Sequence, residues 1–186
     1  VVATAPSMDG YASSGAAMIT GGMKVTYSAK VPDGFIGDTS VLKDAPLEMI
    51  KAGYGDIIGK YSCLSDWKLS SLVNGEYICK DVWQATMREV EKTRALSKKI
   101  TSKDREAVGS LMKSLVAVGV LMAYVGNSRP ASGSEHHFSH YFEITGIINS
   151  KDYLPHGIDV FYSAAETAKI REKLASFENF PEITCY

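Results

Sequence analysis

The apolar positions change their period once along this chain, close to Pro46. Ahead of it they fall in short runs between glycines and prolines. Val1-Val2-Ala3-Thr4 reads as a strand that stops at Pro6, and Met23–Ala29 and Phe35–Ile36 read as strands around the turn residues Pro32-Asp33-Gly34. Ser7-Met8-Asp9-Gly10 reads as a turn running into a helix start, with Asp9 as its cap. Gly21-Gly22 precedes the strand-like Met23-Lys24-Val25-Thr26-Tyr27 and so marks a hairpin turn. Behind Pro46 the period becomes helical. Asp56–Val73, Tyr77–Leu96, Ser102–Val125, Ser134–Ile148 and Ile158–Ser176 all lack internal proline, and Val108, Leu111, Met112 and Leu115 form an i, i+3, i+4, i+7 stripe of core residues. The pattern predicts a mainly α protein: a β element and linker over residues 1–45, then a helical bundle over 46–186.

Composition narrows the function classes. With 186 residues, 45% of them hydrophobic, the chain can bury one core. Twenty basic against twenty-one acidic residues give a net charge of −1, with no basic stripe to follow a phosphate backbone, so nucleic acid is excluded as the expected partner. The charged stretch from Arg88 to Arg105 reads as a solvated helix-loop-helix surface. Cys63, Cys79 and Cys185 are odd in number and lack Cys-x-x-Cys spacing, which predicts reduced thiols in a cytoplasmic protein. The longest apolar run, Leu115 to Val125, is short of the ~20 residues a membrane span needs and reads as a buried helix.

The chemistry lies in three dispersed segments. Asp56 follows Gly53-Tyr54-Gly55 and reads as a residue at or near a helix start, either a cap or a ligand. Three of the four histidines, His136, His137 and His140, are packed into five positions after the loop Ser128-Arg129-Pro130-Ala131-Ser132-Gly133. On a helix His136 and His140 share a face, whereas His137 is turned about 100° away. His156 follows Leu154-Pro155 and reads either as an exposed turn histidine or as a ligand. One carboxylate with two imidazoles, Asp56, His136 and His156, is a donor set for zinc or a similar divalent ion that leaves a coordination position open.

Four segments in order, Thr4-Ala5-Pro6-Ser7-Met8-Asp9-Gly10-Tyr11-Ala12-Ser13, Gly53-Tyr54-Gly55-Asp56, Ser128 through His140, and His156-Gly157, resemble the glycerol-1-phosphate dehydrogenase family. That family is a branch of the iron-containing alcohol dehydrogenase and dehydroquinate synthase-like superfamily. The resemblance implies a metal-dependent, NAD- or NADP-linked oxidoreductase of phospholipid biosynthesis that interconverts dihydroxyacetone phosphate and glycerol 1-phosphate. It implies zinc, with nickel or iron as alternatives, held by Asp56, His136 and His156. It places Thr4, Ala5, Pro6, Ser7 and Ser13 against the nicotinamide cofactor, and Asp9, Asp56 and His140 at the substrate, with Asp56 and His140 in the chemistry. It is compatible with a homo-oligomer.

The chain departs from the family in one large respect. The nucleotide-binding half with its Gly-Gly-Gly pyrophosphate loop is missing, and the chain is expected to be a fragment holding the C-terminal metal-binding part. Lyase chemistry of the dehydroquinate synthase kind, glycerol dehydrogenase activity and a non-catalytic metal-binding helical module are the alternatives.

Overall fold

In the computed structural model, which describes residues 1–21, 23–149, 151 and 154–177, helix α2 (Leu47–Asn74) is the longest element. Around it pack α3 (Lys80–Ala95), α4 (Ser97–Thr101), α5 (Arg105–Val125), α6 (Ser134–Ile148) and α7 (His156–Ala175). A short α1 (Thr39–Leu42) and a 3-10 turn at Gly10–Ala12 rest on α5. The strands β1 (Gly15–Thr20) and β2 (Met23–Ser28) form an antiparallel hairpin, with Gly15 opposite Ser28 and a positive φ of 59° at Gly21. The mainly helical architecture with a small N-terminal β element is therefore the one the apolar pattern predicts.

Several local expectations are corrected. Val1 to Thr4 and Phe35–Ile36 do not build strands; they meet only at an isolated parallel bridge between Val2 and Ile36. Asp9 sits at the N-cap of the 3-10 turn but its side chain makes no capping hydrogen bond. Tyr77 to Cys79 precede α3, and α4 occupies part of the charged stretch. The run Leu115 to Val125 belongs to α5, a helix of 21 residues holding an 18-residue stretch of mean hydropathy 1.8, long and apolar enough to cross a membrane by length and composition. Of those 18 residues 44% are buried in the fold. Cys63 is a buried free thiol and Cys79 a partly exposed one, while Cys185 lies outside the described residues.

The correction that matters most concerns Asp56. It is not at a helix start: α2 begins at Leu47, and Asp56 is fully buried in its interior. The glycines before it are there because other backbones press on that face. A Cβ at Gly53 would lie 1.9 Å from the Pro6 carbonyl oxygen, and one at Gly157 would lie 1.9 Å from the Ala52 carbonyl oxygen. The first contact lays the Pro6–Asp9 segment on α2, and the second draws the start of α7 against the same stretch of helix. A capping role for Asp56 is thereby removed.

The loop before α6 is held by a polar clamp. Asp66 on α2 accepts from the Ser134 amide at 2.7 Å and from Arg171 of α7 at 2.6 Å, and Arg171 also donates to Ser62 and Ser134. Burial works to raise the Asp66 carboxyl, but the Ser134 and Arg171 hydrogen bonds hold it below its ordinary 3.8. A depressed folded value means this contribution to stability is present above the ordinary value and is lost as pH falls through the depressed one. Urea melts of wild type and Asp66→Asn across pH 2 to 6 are expected to show a shallower acid loss in the variant. Equal slopes would contradict the clamp.

Candidate metal centre

Three separate elements bring the candidate ligands together. Asp56 comes from the middle of α2, His136 from the first turn of α6, and His156 is the first residue of α7. Their donor atoms all lie within 4.8 Å of one another. The His136 and His156 ring centroids are 5.2 Å apart, and His140 stands 6.0 Å from His136 and 5.9 Å from His156. His136 side-chain exposure is 10%, against 27% for His156 and 38% for His140, so one side of the cluster stays open while the other is sealed. His137 is exposed and lines an aromatic groove of about 770 Å³ with Phe138, Tyr141 and Tyr162, which none of the ligand candidates lines. The helical register expected from the sequence thus holds.

Asp56 is held at both oxygens. Lys60, one turn further along α2, donates to Oδ1 at 2.6 Å, and the Asp9 amide donates to Oδ2 at 2.9 Å. Lys60 is itself fully buried, and its Nζ lies 2.7 Å from Asp9 Oδ2, an ion pair without hydrogen-bond geometry. Burial works to raise the Asp56 carboxyl, yet the Lys60 ammonium and then the two histidines hold it below the ordinary value. At Asp9 burial and the neighbouring Asp56 charge win, and its carboxyl is raised. Lys60 loses to burial but gains more from Asp56 and Asp9, and its ammonium is held above the ordinary value. Burial lowers His136 despite its contact with Glu135, which favours the neutral imidazole a metal needs.

The residues present fit a divalent ion. Asp56, Glu135 and Glu143 are buried and Asp9 nearly so, while Lys60 is the one buried lysine or arginine among the described residues. Asp9 Oδ2 and Glu135 Oε2 are buried acceptors without a hydrogen bond. Excess buried negative charge is costly until a cation compensates it. One carboxylate and two imidazoles make a hard-to-borderline donor set suited to zinc. A second group, His140, Glu143 and His156, is equally close-set and shares His156 with the first.

The residues that the resemblance places against a cofactor lie on one N-terminal segment. Thr4 is exposed, and Ala5 and Pro6 are buried. Ser7 Oγ pairs with the Tyr11 hydroxyl at 2.9 Å, Tyr11 donates to the Ala5 carbonyl at 2.7 Å, and Ser13 Oγ accepts from the Gly15 amide at 3.0 Å. The hydroxyls of Ser7 and Ser13 are thus engaged within the segment. Lys60, Glu135 and Glu143 were not singled out from sequence. Their signals were present all the same, as Asp56-x-x-x-Lys60 and His140-x-x-Glu143 at helical spacing and Glu135 directly before His136.

One aspartate and two histidines are thus gathered from three helices, in a chain whose sequence has recognisable relatives. Residues 1–46 match the family model described as iron-containing alcohol dehydrogenase. Similarity to the glycerol-1-phosphate dehydrogenases runs along nearly the whole chain. The NAD(P)+-linked glycerol-1-phosphate dehydrogenase of Bacillus licheniformis is 38% identical over 173 residues, 93% of this chain and 43% of the relative. The enzyme of the same name from Bacillus subtilis is 36% identical over 185 residues, 97% of this chain and 46% of the relative. That of Thermoplasma volcanium is 37% identical over 150 residues, covering 80% and 42%. The chain therefore spans less than half the length of these curated relatives.

Proposed function

We propose that this chain is the metal- and substrate-holding part of an NAD(P)-linked glycerol-1-phosphate dehydrogenase, interconverting dihydroxyacetone phosphate and glycerol 1-phosphate. The observation that carries the reading is the convergence of Asp56, His136 and His156 from three helices to within 4.8 Å, in a sequence similar to enzymes of that name. Asp56, His136 and His156 would hold a divalent ion, zinc being favoured by the donor set, and that ion would supply Lewis-acid chemistry toward a carbonyl, with NADH or NADPH as the hydride source.

The remaining work falls to side chains. Asp56, His136 and His156 hold the ion and leave a position open. His140, at the exposed side of the cluster with Nδ1 turned to Glu143, offers Nε2 to the substrate oxygen for proton transfer. Asp9, tied through its amide to Asp56, positions the substrate beside the ion. Thr4, Ala5, Pro6, Ser7 and Ser13 lie on the segment that faces the nicotinamide.

Zinc content of purified variants tests the ligand set. His136→Ala is expected to lose the metal, and His137→Ala to keep it because its ring faces away. His140→Ala keeps it too and instead loses turnover or substrate affinity, followed by NADH absorbance with dihydroxyacetone phosphate in the whole protein. Zinc retained by His136→Ala but lost by His140→Ala would place the ion in the His140–Glu143–His156 group and overturn the assignment.

A further inference from the structure

Glu143 lies on α6 one turn after His140 and faces the first residue of α7. Its Oε2 is 3.2 Å from His140 Nδ1 and its Oε1 is 3.1 Å from His156 Nδ1, with 9% of the side chain exposed. The two rings stack with an interplanar angle of 19°. We infer that Glu143 is a positioning residue shared by two histidines of different function: one carboxylate orients the proposed metal ligand His156 and the proposed substrate histidine His140 together. This rests on the metal reading above and adds a component to it.

The chemistry is directional. A carboxylate only accepts, so each imidazole that meets it must carry its hydrogen on Nδ1 and present Nε2 on the other side of the ring. Metal-bound histidines characteristically pass their second N–H to a carboxylate in this way, which fixes both tautomer and ring orientation. His136 has the same arrangement, with Nδ1 2.6 Å from Glu135 Oε1. Both imidazole ligands are therefore backed by a carboxylate, but only Glu143 backs two rings at once. Its two oxygens each meet an Nδ1, and an Nδ1 that donates to Glu143 cannot ligate an ion, which argues against Glu143 and these nitrogens forming a metal site of their own. The shared carboxylate also joins α6 to α7, so a displacement of the substrate histidine is felt at a metal ligand.

The experiment uses the full chain and zinc alone. Zinc affinity is measured by competition with a chromophoric chelator for wild type, Glu143→Ala and Glu143→Gln, and histidine tautomers are read from long-range 15N–1H spectra. In zinc-loaded wild type His140 and His156 are expected to carry Nδ1–H, and Glu143→Ala is expected to bind zinc about 10- to 100-fold more weakly. Glutamine keeps the shape but offers one acceptor and one donor. With zinc holding His156 in its tautomer, His140 in Glu143→Gln is expected to switch to Nε2–H. A His140 that keeps Nδ1–H there, or wild-type zinc affinity in Glu143→Ala, overturns the inference while leaving the metal site intact. Complete loss of zinc in Glu143→Gln, as in His136→Ala, makes Glu143 a ligand and also overturns it. A folded wild type that takes up no zinc removes the metal reading and this inference with it. Where Glu143→Ala does not fold, the glutamine variant decides.

Discussion

Lys60→Met is expected to destabilise the metal-free chain by about 3 to 5 kcal/mol, the range for removing one partner of a buried ion pair. Lys60 is fully buried between Asp56 and Asp9, at 2.6 and 2.7 Å, and a methionine of similar length fills its space without its charge. Two buried carboxylates then face each other uncompensated. A divalent ion would restore the balance and would no longer compete with an ammonium for Asp56 Oδ1. Zinc should therefore raise the stability of the variant more than that of wild type, because a ligand stabilises by its preference for the folded state. Urea unfolding with and without zinc measures both quantities. A metal-free loss under about 1 kcal/mol, the scale of an exposed pair, would mean that the lysine does not hold the aspartates together.

Gly157→Ala is the second large effect, and it acts through backbone. The added Cβ would meet the Ala52 carbonyl oxygen at 1.9 Å and the Ala52 carbonyl carbon at 2.5 Å, so no side-chain rotation relieves the clash. Overpacking ordinarily costs about 1 to 3 kcal/mol, and a collision of two helix backbones belongs at or above the top of that range. The helices α2 and α7 must separate just where His156 adjoins Gly157 and Asp56 lies one turn past Ala52. Zinc affinity is therefore expected to fall together with stability. Gly34→Ala is the control, since nothing lies within 4 Å of a Cβ there. A Gly157→Ala protein with wild-type melting and zinc affinity would contradict the close approach on which the site geometry depends.

The same glycines mark where the sequence was misread. Gly-Tyr-Gly before Asp56 looked like a break ahead of a helix, because glycine in a helix interior costs up to about 1 kcal/mol. What outweighed that cost is tertiary: the Pro6 and Gly157 backbones need the surface that a side chain would occupy, and no local pattern carries that information. The α6 boundaries and the outward turn of His137 were legible because they depend on helical period alone. The strands expected at Val1 to Thr4 and Phe35–Ile36 reduce to one bridge, since isolated pairing gains too little to extend. Asp56, His136 and His156 could be named from their motifs. Lys60, Glu135 and Glu143 could not be separated from ordinary surface charges until burial and distance were known.

The most direct measurement is anomalous diffraction at the zinc edge from crystals of the chain grown with zinc. A single strong peak is expected about 2.0 to 2.2 Å from one carboxylate oxygen of Asp56 and one ring nitrogen each of His136 and His156, with Glu143 facing the far side of His156. A peak elsewhere, or one bound by His140 and Glu143 in place of Asp56 and His136, would contradict it.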